Sequence, residues 1–344
     1  MLMKAKKTEG FMEKINVIGA GAWGTSLAIA MARSGQNVSL WCREESQATA
    51  LNLAEENKKY LPGISFPKSL KATSNLQEII NAEIILNVVP AQHLRANLIA
   101  LSTLITPQTA LVICSKGIEK TSGKMMSEVV EEILPEQPYA ILSGPNFAHE
   151  VAKGLPSATT LAASDKALGR SLVDAIGIPT FRPYFTDDVI GAQMGGAIKN
   201  VLAIACGVVV GAKLGENARA ALITRGMAEI LRLGERLGAR AETLMGLSGF
   251  GDLVLTCSST ASRNFSLGNA LGAGNRLEDF LKTRHSVTEG VHTAAAICEL
   301  AAKHKIDMPI CAAVNKILNE GASVTEVVEE LLARPFRDEK LAGF

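Results

Sequence analysis

Between Asp188 and Lys213 a single residue carries charge, Lys199. At helical spacing its face-mates three, four and seven residues away are Ala192, Gly195, Gly196, Leu202, Ala203 and Cys206, none of them polar. The ammonium therefore has no solvated stripe to lie on. Desolvation disfavours the charged form of a lysine, and nearby cations disfavour it further, which brings such a side chain toward general acid/base work near neutrality. A stem that snorkels its head out of a buried helix is the competing reading. Gly195 and Gly196 weaken a helix, and their presence calls for another element or a ligand close by.

Other side chains could share that chemistry. Lys116 follows the strand-like run Leu111 to Cys114, where it is either a cation at the lip of a crevice or a solvated loop residue. Gly246 to Leu253 reads as a glycine-rich loop carrying one carboxylate, Asp252, able to hold a lysine or a substrate hydroxyl. Hydroxyl residues from Thr256 lead to Ser262-Arg263-Asn264 at an expected helix start. An arginine beside helix-start amides suits a phosphate; a mobile loop with a stray arginine is the alternative. Gly144-Pro145-Asn146 reads as a helix start facing an anion or as a plain turn. Glu289 reads as a capping carboxylate ahead of an amphipathic helix from Val291 to Lys303.

These groups need a scaffold that delivers them to one place. Ile15 to Ile18, then Gly19-Ala20-Gly21-Ala22-Trp23-Gly24, then the small-residue run to Ala32 is a strand, a tight turn and a helix, the arrangement of a dinucleotide fingerprint. Gly19 permits the turn, Gly21 lets a pyrophosphate approach the backbone, and Gly24 lets the helix sit close. Asn37 to Cys42 reads as a second strand. Arg43 then stands roughly 20 residues past the glycines, where an acidic residue would take the ribose 2′-hydroxyl. A guanidinium suits a 2′-phosphate instead, which puts NADP(H) ahead of NAD(H). Strand-like runs recur at 84–89, 111–114, 140–142 and 158–162 with helical patterns between. Leu61-Pro62-Gly63 reads as a turn, and from Asp187 onward only helical patterns remain. The expected fold class is α/β: a doubly wound, mostly parallel sheet at 15–189, followed by an all-α domain at 190–344. Residues 1–14 read as a flexible N-terminal extension.

A chain of 344 residues can form two cores of ordinary size. With a net charge of +1 it carries no general field toward nucleic acid or an acidic membrane, and neither partner is expected. The longest uncharged apolar run, Val201 to Ala212, is too short for a bilayer span. Six scattered cysteines without C-x-x-C spacing suit reduced thiols in a cytoplasmic protein. No His/Cys cluster has metal-ligand spacing, so no metal is expected. The apolar helical half suits a homodimer.

Five blocks in order, Gly19–Gly24, Lys116-Gly117-Ile118, Gly144–Ala148, Gly196–Asn200 and Gly249–Cys257 running into Ser262–Asn264, make the chain resemble the bacterial type of NAD(P)-dependent glycerol-3-phosphate dehydrogenase, from about Lys14 to about Leu332. The resemblance implies a Rossmann-type first domain and a small phosphate-bearing substrate. It makes Lys199 the catalytic acid/base with Lys116 and Asp252 assisting, and sets Gly144, Asn146, Ser262, Arg263 and Asn264 around the substrate. Ala22, Trp23, Arg43, Lys116, Ala148, Arg263, Val287 and Glu289 would line the cofactor. Two positions depart from the family's pattern: Asn146, where a small hydroxyl residue is usual but which can still donate a hydrogen bond, and Ala91, which cannot. A related dehydrogenase of β-hydroxy acids and a nucleotide-sensing regulator without chemistry stay open as alternatives.

Overall fold

A computed structural model describes residues 14–282, 289–336 and 338, and of Leu281 and Glu289 the backbone alone. The expected N-terminal extension and Val287 thus lie outside the described residues. Eight strands form one sheet, β1 (Ile15–Ile18), β2 (Val38–Trp41), β5 (Leu70–Thr73), β6 (Ile84–Asn87), β7 (Ala110–Ile113), β8 (Tyr139–Ser143), β9 (Ser157–Ala162) and β10 (Phe181–Thr186). They lie in the order β10-β9-β8-β7-β6-β1-β2-β5. Every neighbouring pair is parallel except β8 and β9. The central strands β1, β6 and β7 are buried at every residue, as a sheet covered on both faces requires. The chain runs outward from β1 through β2 to β5, then crosses back to place β6 on the other side of β1. That reversal opens a crevice beyond the carboxyl ends of β1 and β6.

The sheet holds strands that local pattern does not announce. Leu61–Ser65 is a strand (β4) paired with the two residues Glu56–Asn57 (β3), where a turn is expected from Pro62 and Gly63. β10 contains Pro183, which is tolerated because the strand is at the sheet edge. After Thr186 the described residues are helical.

The helical half is built around the helix Val189–Gly211, buried from Gly191 to Val209. It is long and apolar enough to cross a membrane, yet it lies inside the protein as a core axis. Asp188 caps it, one carboxylate oxygen accepting from the Gly191 N–H (2.8 Å) and the other from the Arg240 N–H (2.8 Å). The helix Arg263–Gly272 crosses it almost backbone to backbone: a Cβ at Gly207 would lie 2.1 Å from the Phe265 carbonyl oxygen, and one at Gly268 would lie 1.9 Å from that of Ile204. Small residues at the crossing set a short interaxial distance, which fixes Arg263 and Asn264 relative to Lys199. Glu229, buried, accepts from the Ile310 (2.7 Å) and Cys311 (3.1 Å) N–H groups and so ties the helix Pro309–Asn319 into this core. Burial pushes its carboxyl up to about 7 against the pull of those amides. All six cysteines are free thiols, five of them buried.

Candidate active site

At the crevice, Gly19 takes φ +109°, and a Cβ there would lie 2.8 Å from the Val88 carbonyl oxygen at the end of β6. The turn therefore presses the first strand's end against its neighbour's, a conformation and a closeness that only glycine meets without strain. A Cβ on Gly24 would lie 1.8 Å from the Gly19 carbonyl oxygen, so the third glycine closes the turn on itself. No atom lies within 4 Å of where Gly21 would carry a Cβ. The helix Ala22–Arg33 starts there with no side-chain cap and no acid in its first turn. Its unpaired amides and positive dipole end thus face the crevice, which fits a dinucleotide's pyrophosphate.

Neighbouring residues frame that cradle. The Trp23 ring lies tilted against Phe181, 6.3 Å between centroids. Ser26 Oγ donates to the Ala148 carbonyl (2.7 Å), which brings Ala148 beside the first helix. Arg43 follows β2 at the same end of the sheet, with its exposed guanidinium on Glu44 (3.1 Å). Glu289 is the first residue of the helix Glu289–His304.

Lys199 does not snorkel to solvent. Its Nζ donates to Asp252 Oδ1 (2.6 Å) and to Thr256 Oγ1 (3.0 Å), and its side chain is 10% exposed. Lys116 Nζ donates to the other oxygen, Asp252 Oδ2 (2.6 Å), and to the Gly144 carbonyl (3.1 Å). A single carboxylate, 1% exposed, thus bridges two ammoniums that arrive from opposite halves of the molecule. Such short charge-assisted bonds in a dry setting fix both nitrogens firmly. Thr256 Oγ1 in turn donates to the Asp252 carbonyl (2.6 Å), so the hydroxyl has a partner on each side.

Gly195 and Gly196 explain how these groups come together. A Cβ on Gly195 would lie 2.4 Å from the Ser248 carbonyl oxygen, and one on Gly196 would lie 2.8 Å from Ser143 Oγ and 3.4 Å from Lys116 Cδ. The segment leading to Asp252 packs on one glycine, and the Lys116 stem on the other. That segment is not the loop expected from its glycines: Leu247–Gly251 is wound as a π-helical turn that runs directly into the helix Asp252–Cys257. Gly249 fits there because a Cβ would lie 1.8 Å from the Leu244 carbonyl oxygen, so its role is closeness and not mobility.

The phosphate-suited corner is adjacent. Ser262 caps the helix Arg263–Gly272, Oγ accepting from the Phe265 N–H (3.2 Å), with Arg263 exposed at the first helical position. Asn264 is buried, donating to Asn200 Oδ1 (2.9 Å) and accepting from the Gly290 N–H (3.2 Å). It therefore links the residue next to Lys199, the Arg263 helix and the start of the helix at Glu289. Near Gly144, Asn146 Nδ2 donates to the Ala158 carbonyl (2.8 Å), while its buried Oδ1 has no partner. Sequence reasoning treats this amide as a donor, whereas the geometry leaves its acceptor end for a ligand. Gly144-Pro145-Asn146 does not begin a helix; the helix starts at Ala148. Thr256 and Asn200 have no assigned part in the sequence reading. The one available signal was the four-residue spacing of Asp252 and Thr256 on a helix.

A family model described as the N-terminus of NAD-dependent glycerol-3-phosphate dehydrogenase matches residues 14–169, and one described as its C-terminus matches residues 188–329. The chain is 56% identical over 329 residues to a glycerol-3-phosphate dehydrogenase (NAD(P)+) of Rhodospirillum rubrum, covering 95% of this chain and 94% of that one. It is 53% identical over 326 residues to that of Parvibaculum lavamentivorans, covering 95% and 98%. A crystal structure of glycerol-3-phosphate dehydrogenase from Coxiella burnetii superposes with a TM-score of 0.91 at 40% identity, covering 94% of this chain and all of that one. One match falls on the sheet and the other on the helices, and Lys116 and Lys199 reach Asp252 from those two sides. The chain belongs to the NAD-dependent glycerol-3-phosphate dehydrogenase family.

Proposed function

We propose that this chain interconverts dihydroxyacetone phosphate and sn-glycerol 3-phosphate, with Lys199 as the general acid/base. The observation that carries it is the pair of buried ammoniums held on Asp252 beside an uncapped helix start. A reduced nicotinamide supplies the hydride when bound. Arg263, Asn264 and the amides of their helix start hold the substrate phosphate, which fixes the ketone near both lysines. As negative charge grows on the ketone oxygen, Lys199 Nζ gives that oxygen its proton, and Lys116 Nζ stabilises the same charge. Asp252 keeps both nitrogens aimed. In the reverse direction neutral Lys199 takes the proton from the C2 hydroxyl. A β-hydroxy acid would have less use for the helix start at Arg263.

Arg263→Ala is expected to raise KM for dihydroxyacetone phosphate about 10- to 100-fold, the worth of a charge-assisted hydrogen bond, while dihydroxyacetone without its phosphate loses under about twofold in kcat/KM. Equal losses for both substrates would contradict the anchoring role.

NADP(H) is favoured over NAD(H) because Arg43 stands at the carboxyl end of β2 with only a surface pairing to Glu44 to give up. Arg43→Ala should raise KM for NADPH about 10-fold and leave that for NADH unchanged, as steady-state titration of each nucleotide will show. A cytoplasmic homodimer that supplies glycerol 3-phosphate for phospholipid synthesis, without nucleic-acid or stable membrane partners, completes the reading. Free cysteines and a near-neutral chain support the location.

A further inference from the structure

We propose that Gln92 is a positioning residue for the reduction: its side-chain amide clamps the segment after Lys116 to the turn after β6, and so holds the Lys116 ammonium against Asp252. Gln92 Nε2 donates to the Ile118 carbonyl (2.8 Å) and Oε1 accepts from the Lys120 N–H (2.9 Å), so one amide spans both sides of a peptide run as a paired strand would. On the other side of Lys116, Ser115 Oγ donates to the Val89 carbonyl (2.5 Å). The residues flanking Lys116 are thus both tied to Val88–His93, the stretch that borders the crevice.

Two features make the clamp matter for Lys116 in particular. Gly117 takes φ +140°, and a Cβ there would lie 3.3 Å from the Ala91 Cβ, so the backbone bends sharply just after the lysine and leans on the same turn. Between them lies a cavity of about 200 Å³, bordered by that turn, Lys116, His292 and Thr293. Nothing in the local backbone would hold a glycine bend at the edge of a cavity; the Gln92 amide does. Behind it, Arg95 donates to Glu119 (3.0 and 2.9 Å) and to Glu132 (2.9 Å), fixing the far end of the run that Ile118 begins. Ile118 itself is buried in the helical core together with Met125. The run is anchored at Ile118, Glu119 and Lys120, and Lys116 hangs from that anchorage toward Asp252.

The proposal rests on the catalytic reading above, so its test carries one readout that does not need turnover. Gln92→Met keeps the length and loses both hydrogen bonds. It is expected to lower kcat about 10-fold while KM for the nucleotide and Tm stay near wild-type values. Gln92→Glu should be no better, since a carboxylate accepts from Lys120 but cannot donate to Ile118. In a Lys116→Ala background Gln92→Met should cost nothing further, because the residue it positions is gone. Independently of activity, acetylation of Lys116 by an N-hydroxysuccinimide ester, followed by mass spectrometry, should run several-fold faster in Gln92→Met than in wild type. Losses that multiply in the double variant, or Lys116 labelling at the wild-type rate, would overturn the proposal. Should Gln92→Met fail to fold, Ser115→Ala serves in the same cycle, with a smaller loss expected in the same pattern. A wild-type protein that labels as expected yet reduces no dihydroxyacetone phosphate would count against the catalytic reading alone.

Discussion

Lys199→Ala is expected to lower kcat about 10²- to 10⁴-fold and to leave the dissociation constant for the reduced nucleotide within about twofold. The size follows from what is removed: the one group placed to hand a proton to the ketone oxygen as hydride arrives. The selectivity follows from distance along the fold, because the nucleotide cradle is built from Gly19, Gly21 and the first turn of the helix at Ala22, none of which touches Lys199. Nucleotide binding is read by fluorescence titration and turnover by nucleotide oxidation. Lys199→Arg should rescue little, since a guanidinium stays protonated and cannot serve as the base of the reverse reaction.

Asp252→Ala should be the most damaging substitution to the protein as a whole. One carboxylate neutralises two ammoniums, and Lys199 is nine-tenths buried. Removing one partner of a buried ion pair leaves an uncompensated charge and costs about 3–5 kcal/mol. Lys116, less buried, can turn toward solvent; Lys199 has less freedom to do so. The expected result is a loss of about 3–5 kcal/mol in denaturant unfolding together with at least about 10²-fold in kcat. The sign can be checked within one pair of variants: Lys199→Ala with Asp252→Ala should be more stable than Asp252→Ala alone, because it removes the stranded charge. A double variant less stable than that single one would mean the carboxylate's worth lies elsewhere.

Most of the scaffold was legible because its signals are local. β1, its glycine turn and the helix after it announce themselves within 20 residues, and β6, β7, β8 and β9 each show a short apolar run. β10 was not legible, since Pro183 and an exposed, alternating face look like a connection until the edge position excuses them. Lys199 stood out because a charge on an apolar face is an inconsistency that something must resolve. What resolves it, Asp252, lies 53 residues away on another helix, and only the tertiary structure brings the carboxylate between both lysines. Thr256 and Asn200 escaped notice for a related reason. A hydroxyl or amide that serves another side chain leaves no mark of its own on local periodicity. The turn at Leu247–Gly251 misled in the opposite direction: three glycines in seven residues, Gly246 to Asp252, suggest a mobile loop, whereas Gly249 is there because backbone from Leu244 packs against it.

The most direct test mixes the pure protein with NADPH and dihydroxyacetone phosphate in a stopped-flow instrument and follows the loss of reduced-nucleotide absorbance over a single turnover, for wild type and Lys199→Ala side by side. Rapid oxidation that depends on the ketone in wild type, slowed by two orders of magnitude or more in the variant with the nucleotide still bound, is the result expected here. Equal single-turnover rates in the two proteins, or no oxidation by wild type with this ketone and either nucleotide, would contradict it.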